Sequence, residues 1–141
     1  MNDQRIAGKG TVMTELRIYY EDTDAGGVVY YGKYLRYLEK GRTEFLRERG
    51  LLVRELQGKG YLIPVMRLEI DYLSPAVLDD LLRVDTAVLE VTGATFTLGQ
   101  RVVRVCDEQA LVKAKVTLAC LGPGNMARRL PPELLRALNK T

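Results

Sequence analysis

The sequence contains no histidine. That absence excludes Ser-His-Asp and Cys-His nucleophile systems, and it excludes His-ligated metal sites. Acid–base chemistry near neutral pH must then rest on Asp, Glu, Tyr, Lys or Cys. Cysteine is scarce, with only Cys106 and Cys120. They form no CxxC pair, so no zinc framework is indicated. Both lie in apolar, strand-like runs, which predicts two buried free thiols. No apolar stretch approaches the roughly 18 residues of a membrane span. Residues 1–10 are polar, lack the apolar core of a signal peptide and read as a loose tail. The expected location is the cytoplasm. The net charge of +3 is too weak and too dispersed to argue for a nucleic-acid partner, and it suits an anionic small molecule.

What is present fits one domain. The 141 residues normally bury a single core, on the order of two-thirds of the unfolded surface, so residues 1–141 are read as one unit. Leu16, Ile18 and Tyr20 alternate in a predicted strand from Val12 to Tyr20. A polar, turn-rich loop follows, Glu21 to Gly27. From about Tyr31 to Arg49 the apolar positions Tyr34, Leu35, Leu38, Gly41 and Phe45 take helical spacing, and Gly50 stands where a left-handed C-cap belongs. Gly41 predicts that another backbone packs close to the helix there. Leu51 to Gln57 add a short helical turn. Met66, Leu68, Ile70 and Tyr72 then mark a half-buried strand. Leu82, Val84, Thr86 and Val88 mark the next. Phe96 and Leu98, followed by Val103 and Val105, mark another, with an expected bulge near Gly99 where the inward parity switches. A turn at Asp107 to Gln109 leads into the most regular strand, Val112 to Cys120. Pro131 and Pro132 open a short helix over 131–139. The pattern is α+β: one long apolar-striped helix wrapped by a five-stranded, largely antiparallel sheet.

The stretch that carries chemistry runs from Tyr19 to Leu35. It places Asp24 on a loop that passes through Gly26 and Gly27 to a helix start. The first amides of a helix lack intrahelical partners and carry partial positive charge. Such amides stabilise the oxyanion formed when a thioester carbonyl is attacked. The glycines let a ligand approach the backbone. Asp24 could attack the carbonyl or deprotonate a water, and no metal is required. The same spacing also suits a plain turn or N-cap aspartate and an ordinary Gly-Gly loop. Glu21 and Asp22 read as solvated loop charges.

The run Tyr-Tyr-Glu-Asp-Thr-Asp-Ala-Gly-Gly-Val-Val-Tyr (19–30), with Tyr34-Leu35, Glu39, Arg42-Thr43-Glu44, Tyr72-Leu73-Ser74-Pro75-Ala76, Leu78-Asp79-Asp80 and Pro131, resembles one family closely. It is similar to the Tol–Pal-associated acyl-CoA thioesterases, in the 4-hydroxybenzoyl-CoA thioesterase group of the hot-dog superfamily. The resemblance spans about Thr14 to Leu138. It implies a hot-dog fold and hydrolysis of an acyl-CoA to free acid and CoA. It puts the catalytic aspartate on Asp24, the oxyanion amide on the Tyr31 N–H, and a pocket or orienting role on Tyr20. Gly26, Gly27, Val28, Tyr30, Gly32 and Arg128 fall among the substrate-binding positions. The Tol–Pal branch usually has histidine where this chain has Tyr31, whereas the aromatic-acyl branch has tyrosine; a backbone amide serves either way. The resemblance implies no cofactor, since CoA is part of the substrate. It also implies a homodimer or homotetramer with substrate at the subunit interface, and membrane-associated proteins as further partners. CoA phosphates need cations, and Arg101, Arg104, Lys113, Lys115, Arg128 and Arg129 are the candidates. A non-catalytic hot-dog module that binds acyl groups, CoA or a partner protein is the alternative. A hot-dog hydratase would need an Asp–His pair.

Overall fold

Period-two alternation becomes one sheet. In the computed structural model, which describes residues 10–140, the strands are β1 (Val12–Arg17), β2 (Val65–Tyr72), β3 (Leu81–Val91), β4 (Thr95–Arg104) and β5 (Gln109–Ala119). Their order is β1-β3-β4-β5-β2, and every pairing is antiparallel. All but the last residue of the predicted tail lie outside the described residues.

The long helix α1 (Lys33–Glu48) lies against the inner face of this sheet. Tyr34, Tyr37, Leu38, Phe45 and Leu46 point into the core, where they meet Leu82, Val84, Phe96, Leu98, Val102, Val112, Ala114 and Val116. Removing such side chains from water supplies roughly 1.5–3 kcal/mol each. A short helix α2 (Val53–Gly58) follows, and α3 (Pro132–Asn139) closes the described chain. Gly50 has φ +88°, as a C-cap requires,. Arg49 stacks on Phe45 and donates to the carbonyls of Ala137 and Leu138 at 3.0 and 3.2 Å. That cation sits at the carbonyl-rich end of α3, where a positive charge is favoured.

The expected elements differ from the observed ones in instructive ways. The first strand ends at Arg17, and Tyr20 opens a 3₁₀ turn (Tyr20–Asp22) instead of continuing the strand. Leu35 belongs to the exposed side of α1. Gly41 faces side chains, not backbone: an added Cβ would meet Val84 Cγ1 at 2.6 Å, and Gln100 Nε2 and Thr86 Oγ1 at 3.0 Å. Gly99 itself pairs regularly with Ala87 and Lys115, and the irregularity expected near it lies on the neighbouring strand β3, whose register shifts between Val88 and Glu90 opposite Leu98 and Thr97. The inward residues of β4 are Phe96, Leu98, Gln100 and Val102, so parity holds through a fully buried glutamine. A further register shift, in the pairing with β5, falls between Val102 and Val103. Cys120 is buried as expected, but Cys106 lies exposed in the β4–β5 turn.

The predicted half-burial of β2 fails in a particular way. β2 is an edge strand with the expected alternation, yet Met66 (63% exposed), Leu68 and Tyr72 remain in solvent, and only Ile70 is partly covered.

Candidate active site

The Asp24 loop is a small hairpin. Tyr30 N–H donates to the Asp22 carbonyl at 3.0 Å, Thr23 bridges Val29, and Asp24 N–H donates to the Val28 carbonyl at 2.9 Å. The chain reverses at Ala25–Gly27, where Gly27 takes φ +82°, a conformation that suits glycine. Gly27 N–H donates to the Asp24 carbonyl at 3.0 Å. The Asp24 carboxylate stands exposed at the hairpin tip, and its Oδ1 accepts the Gly26 N–H at 2.8 Å. Among the described residues its Oδ2 accepts no hydrogen bond.

The hairpin is fastened to the segment between β2 and β3. Val29 N–H donates to the Ala76 carbonyl at 2.9 Å, and Val28 bridges Val77. Ala76 N–H in turn donates to the Tyr34 hydroxyl at 3.1 Å. Burial raises the Tyr34 pKa, partly offset by that bond, so the hydroxyl stays neutral,. These links hold the start of α1 beside the hairpin.

Tyr31 immediately follows the paired Tyr30. Its backbone N–H forms no hydrogen bond among the described residues, and neither does that of Gly32. These are unspent donors at a helix entrance. Tyr31's carbonyl accepts from the Tyr72 hydroxyl at 3.3 Å. The Tyr30 and Tyr31 ring centroids are 4.7 Å apart, and Tyr72 packs edge-on against Tyr31 at 6.2 Å and Tyr34 at 5.7 Å. Gly32 makes room for this packing, since a Cβ there would lie 2.6 Å from the Tyr30 ring. Beside the rings lies a cavity of about 260 Å³, lined by Val29, Tyr31, Tyr34, Tyr72, Leu73, Ser74 and Pro75.

The structure thus gathers Asp24, Gly26, Gly27, Val28, Tyr30, Tyr31 and Gly32 on one hairpin and helix entrance. It leaves two sequence candidates apart. Tyr20 is 81% exposed, and its described bonds are backbone bonds to Thr23. Arg128 folds over Gly122, and its N–H bonds the Cys120 carbonyl, at the end of β5 that pairs with the start of β2. Asp24 docks near the far end of β2. At about 3.4 Å per residue, the length of β2 separates them within one chain.

Two of the other candidate cations are engaged within the chain. Arg101 is spent on the buried Asp85 at 2.8 Å, and Arg104 binds Asp107 at 3.0 Å. Sequence reasoning missed Asp22, Tyr34 and the 72–77 wall as parts of the site. The Tyr19-x-x-Asp22 spacing carried a signal, because an acid three residues after a turn start can reach back to that residue's N–H. The Asp22 carboxylate does so at 2.8 Å, so it is a buried structural anion and not the solvated charge expected.

An antiparallel sheet wrapped on one long helix, with a carboxylate hairpin at the helix entrance, defines the hot-dog thioesterase class. Residues 19–138 match the family described as the thioesterase-like superfamily, and the chain belongs to it. It is 45% identical over 123 residues to the acyl-CoA thioesterase YbgC of Haemophilus influenzae, covering 86% of this chain and 89% of that protein. It is 35% identical over 122 residues to the acyl-CoA thioester hydrolase YbgC of Escherichia coli, covering 86% and 90%. Among solved structures, a 1,4-dihydroxy-2-naphthoyl-CoA thioesterase from Synechocystis superposes with a TM-score of 0.84 at 23% identity, over 91% of this chain and 95% of that one. That last likeness bears on the fold. No described helix is long and apolar enough to cross a membrane.

Proposed function

We propose that this chain hydrolyses acyl-CoA thioesters to free acid and CoA, with Asp24 supplying the carboxylate. The observation that carries this reading is the Asp24 hairpin itself. Among the described residues one carboxylate oxygen is fixed by Gly26 N–H and the other is open, beside a helix entrance with unspent amides. The curated relatives named above supply the substrate class.

In this mechanism the acyl group enters the cavity lined by Tyr31, Tyr34 and Tyr72. The thioester oxygen takes the Tyr31 N–H as charge develops. Asp24 attacks the carbonyl carbon, CoA leaves as thiolate, and water cleaves the resulting anhydride. Alternatively, Asp24 takes a proton from the water that attacks. Both routes consume one water and release one acid and one CoA. Neither needs a metal or a cofactor.

The test is Asp24→Asn. The amide oxygen can still accept the Gly26 N–H, so the hairpin survives. Turnover should drop by at least about 100-fold, read as CoA thiol release, with unchanged thermal unfolding. Near-normal kcat would overturn the mechanism. Tight CoA binding without hydrolysis of any acyl-CoA across chain lengths and benzoyl types would favour the non-catalytic module.

We also propose that two copies pair through β2. Its free edge and the exposed Met66, Leu68 and Tyr72 support this, because long apolar edges are otherwise an aggregation hazard. Antiparallel pairing of two β2 edges would carry the Arg128 end of one copy toward the Asp24 end of the other. Leu68→Glu should then yield monomers in sedimentation. An unchanged dimer would reject this edge.

A further inference from the structure

We propose that Asp22 is the positioning residue of this site, holding both the Asp24 arm and the Tyr31 arm of the hairpin; the inference rests on the thioesterase reading above. Three acids crowd this loop, and they have separate environments. Glu21 and Asp24 are exposed, whereas Asp22 is 9% exposed. A shielded carboxylate is costly unless its oxygens are satisfied. Oδ2 accepts the Tyr19 N–H at 2.8 Å, and Oδ1 lies 3.8 Å from Lys33 Nζ.

Each partner belongs to a different piece of the site. Tyr19 is where the chain leaves β1. Lys33 is the first residue of α1, where a cation is disfavoured by the partial positive charge of the helix end. The Asp22 carboxylate offsets that. The main chain of the same residue makes the other joint: its carbonyl accepts the Tyr30 N–H at 3.0 Å, directly before Tyr31, and Asp24 follows two residues later. Behind it stands Tyr37, buried one turn into α1. Burial, and secondarily the Asp22 charge, push the Tyr37 phenol well above its ordinary range. Its hydroxyl has no partner in hydrogen-bonding geometry among the described residues, so it adds proximity and not a tether.

Removing the side chain altogether therefore frees the start of the hairpin and the start of the helix together. A sub-ångström loss of alignment between nucleophile and oxyanion donor is expensive: an ångström costs about 100-fold in rate. Asp22→Ala should lower kcat on that order, with KM within about threefold. Asp22→Asn keeps an oxygen for the Tyr19 N–H and gives up only the partly exposed pair with Lys33. It should retain kcat within about fivefold.

The experiment measures kcat and KM of both variants, with amide hydrogen exchange at Tyr19 and Tyr30. Support is a kcat defect in Asp22→Ala, rescued in Asp22→Asn, with faster exchange at those amides in the alanine variant alone. Wild-type kcat in Asp22→Ala, or an equal defect in Asp22→Asn, overturns the proposal. If Asp22→Ala fails to fold, the asparagine variant still decides: preserved kcat and slow exchange support it, and lost activity overturns it. If the wild-type chain hydrolyses no thioester, the proposed function falls on its own. The exchange pattern then decides the role of Asp22, and unchanged exchange in Asp22→Ala overturns it.

Discussion

Asp24 Oδ1 accepts the Gly26 N–H at 2.8 Å, and the same oxygen lies only 3.2 Å from the point a Gly26 Cβ would occupy. The glycine is therefore part of how the carboxylate is aimed. Gly26→Ala should displace Oδ1 by a few tenths of an ångström. We expect kcat to fall about tenfold with little change in unfolding temperature. Gly27→Ala is the counterpart. It meets open space but must hold φ +82°, so it should cost roughly 1–2 kcal/mol of stability. Wild-type turnover in Gly26→Ala would show that Asp24 is aimed by something else.

Gly41 is a contact point between α1 and the sheet. Alanine would gain about 1 kcal/mol of helix propensity, yet its Cβ would press on Val84 at 2.6 Å. Overpacking a core costs typically 1–3 kcal/mol. Gly41→Ala should come out destabilised, and Gly41→Val more so, in urea unfolding. A stabilised alanine variant would mean that Val84 yields freely.

Gln100 is fully buried and joins three elements. Its Nε2 donates to the Leu38 carbonyl and to Thr86 Oγ1 at 2.9 Å, and its Oε1 accepts from Arg42 Nη1 at 3.2 Å. Burial lowers the Arg42 pKa, so losing its acceptor matters. Gln100→Leu should destabilise by about 1–3 kcal/mol. An unchanged denaturant midpoint would mean that water replaces the amide.

Tyr37 and Tyr34 set the alkaline limit. Burial raises both phenol pKa values, so the folded state holds these protons more tightly than the unfolded chain. Their contribution is complete below the ordinary tyrosine value of about 10 and is lost as pH rises through the folded values. The phenolate absorbance of these two buried phenols should therefore appear together with unfolding above pH about 10, apart from that of the exposed tyrosines,. Tyr37→Phe removes a hydroxyl that lies near Asp22 but has no partner in hydrogen-bonding geometry among the described residues. It should leave neutral-pH stability unchanged or slightly higher and move the alkaline midpoint upward. A downward shift would reveal a hydrogen bond to that hydroxyl.

The element order and the antiparallel, helix-wrapping sheet were legible because amphipathic periods survive burial. Val112 to Cys120 is the clearest case. Gln100 was not legible: a polar residue at an inward position imitates a change of parity, and so it pointed to a bulge on β4 near Gly99, whereas the register shift beside Gly99 is on β3. Asp22 was legible only in its spacing from Tyr19, because composition cannot separate a buried acid from a solvated neighbour. β2 was half legible. Its apolar face follows from alternation, but the described residues of one chain leave it uncovered. For the site, the residue string from Asp24 to Gly32 gave the local arrangement, whereas the wall at 72–77 depended on how β2 and β3 bring distant sequence to the hairpin.

The hairpin closes on itself, with Asp22 bonded to Tyr30 and Asp24 to Val28 through the main chain. Its shape is thus encoded by a short continuous segment, while the cavity wall comes from Tyr72 to Pro75 on another part of the chain. The two can vary independently. Substitutions in the wall can retune which acyl group is accepted while the chemistry is inherited intact, which makes the fold an easy one to diversify and the wall the place to redesign.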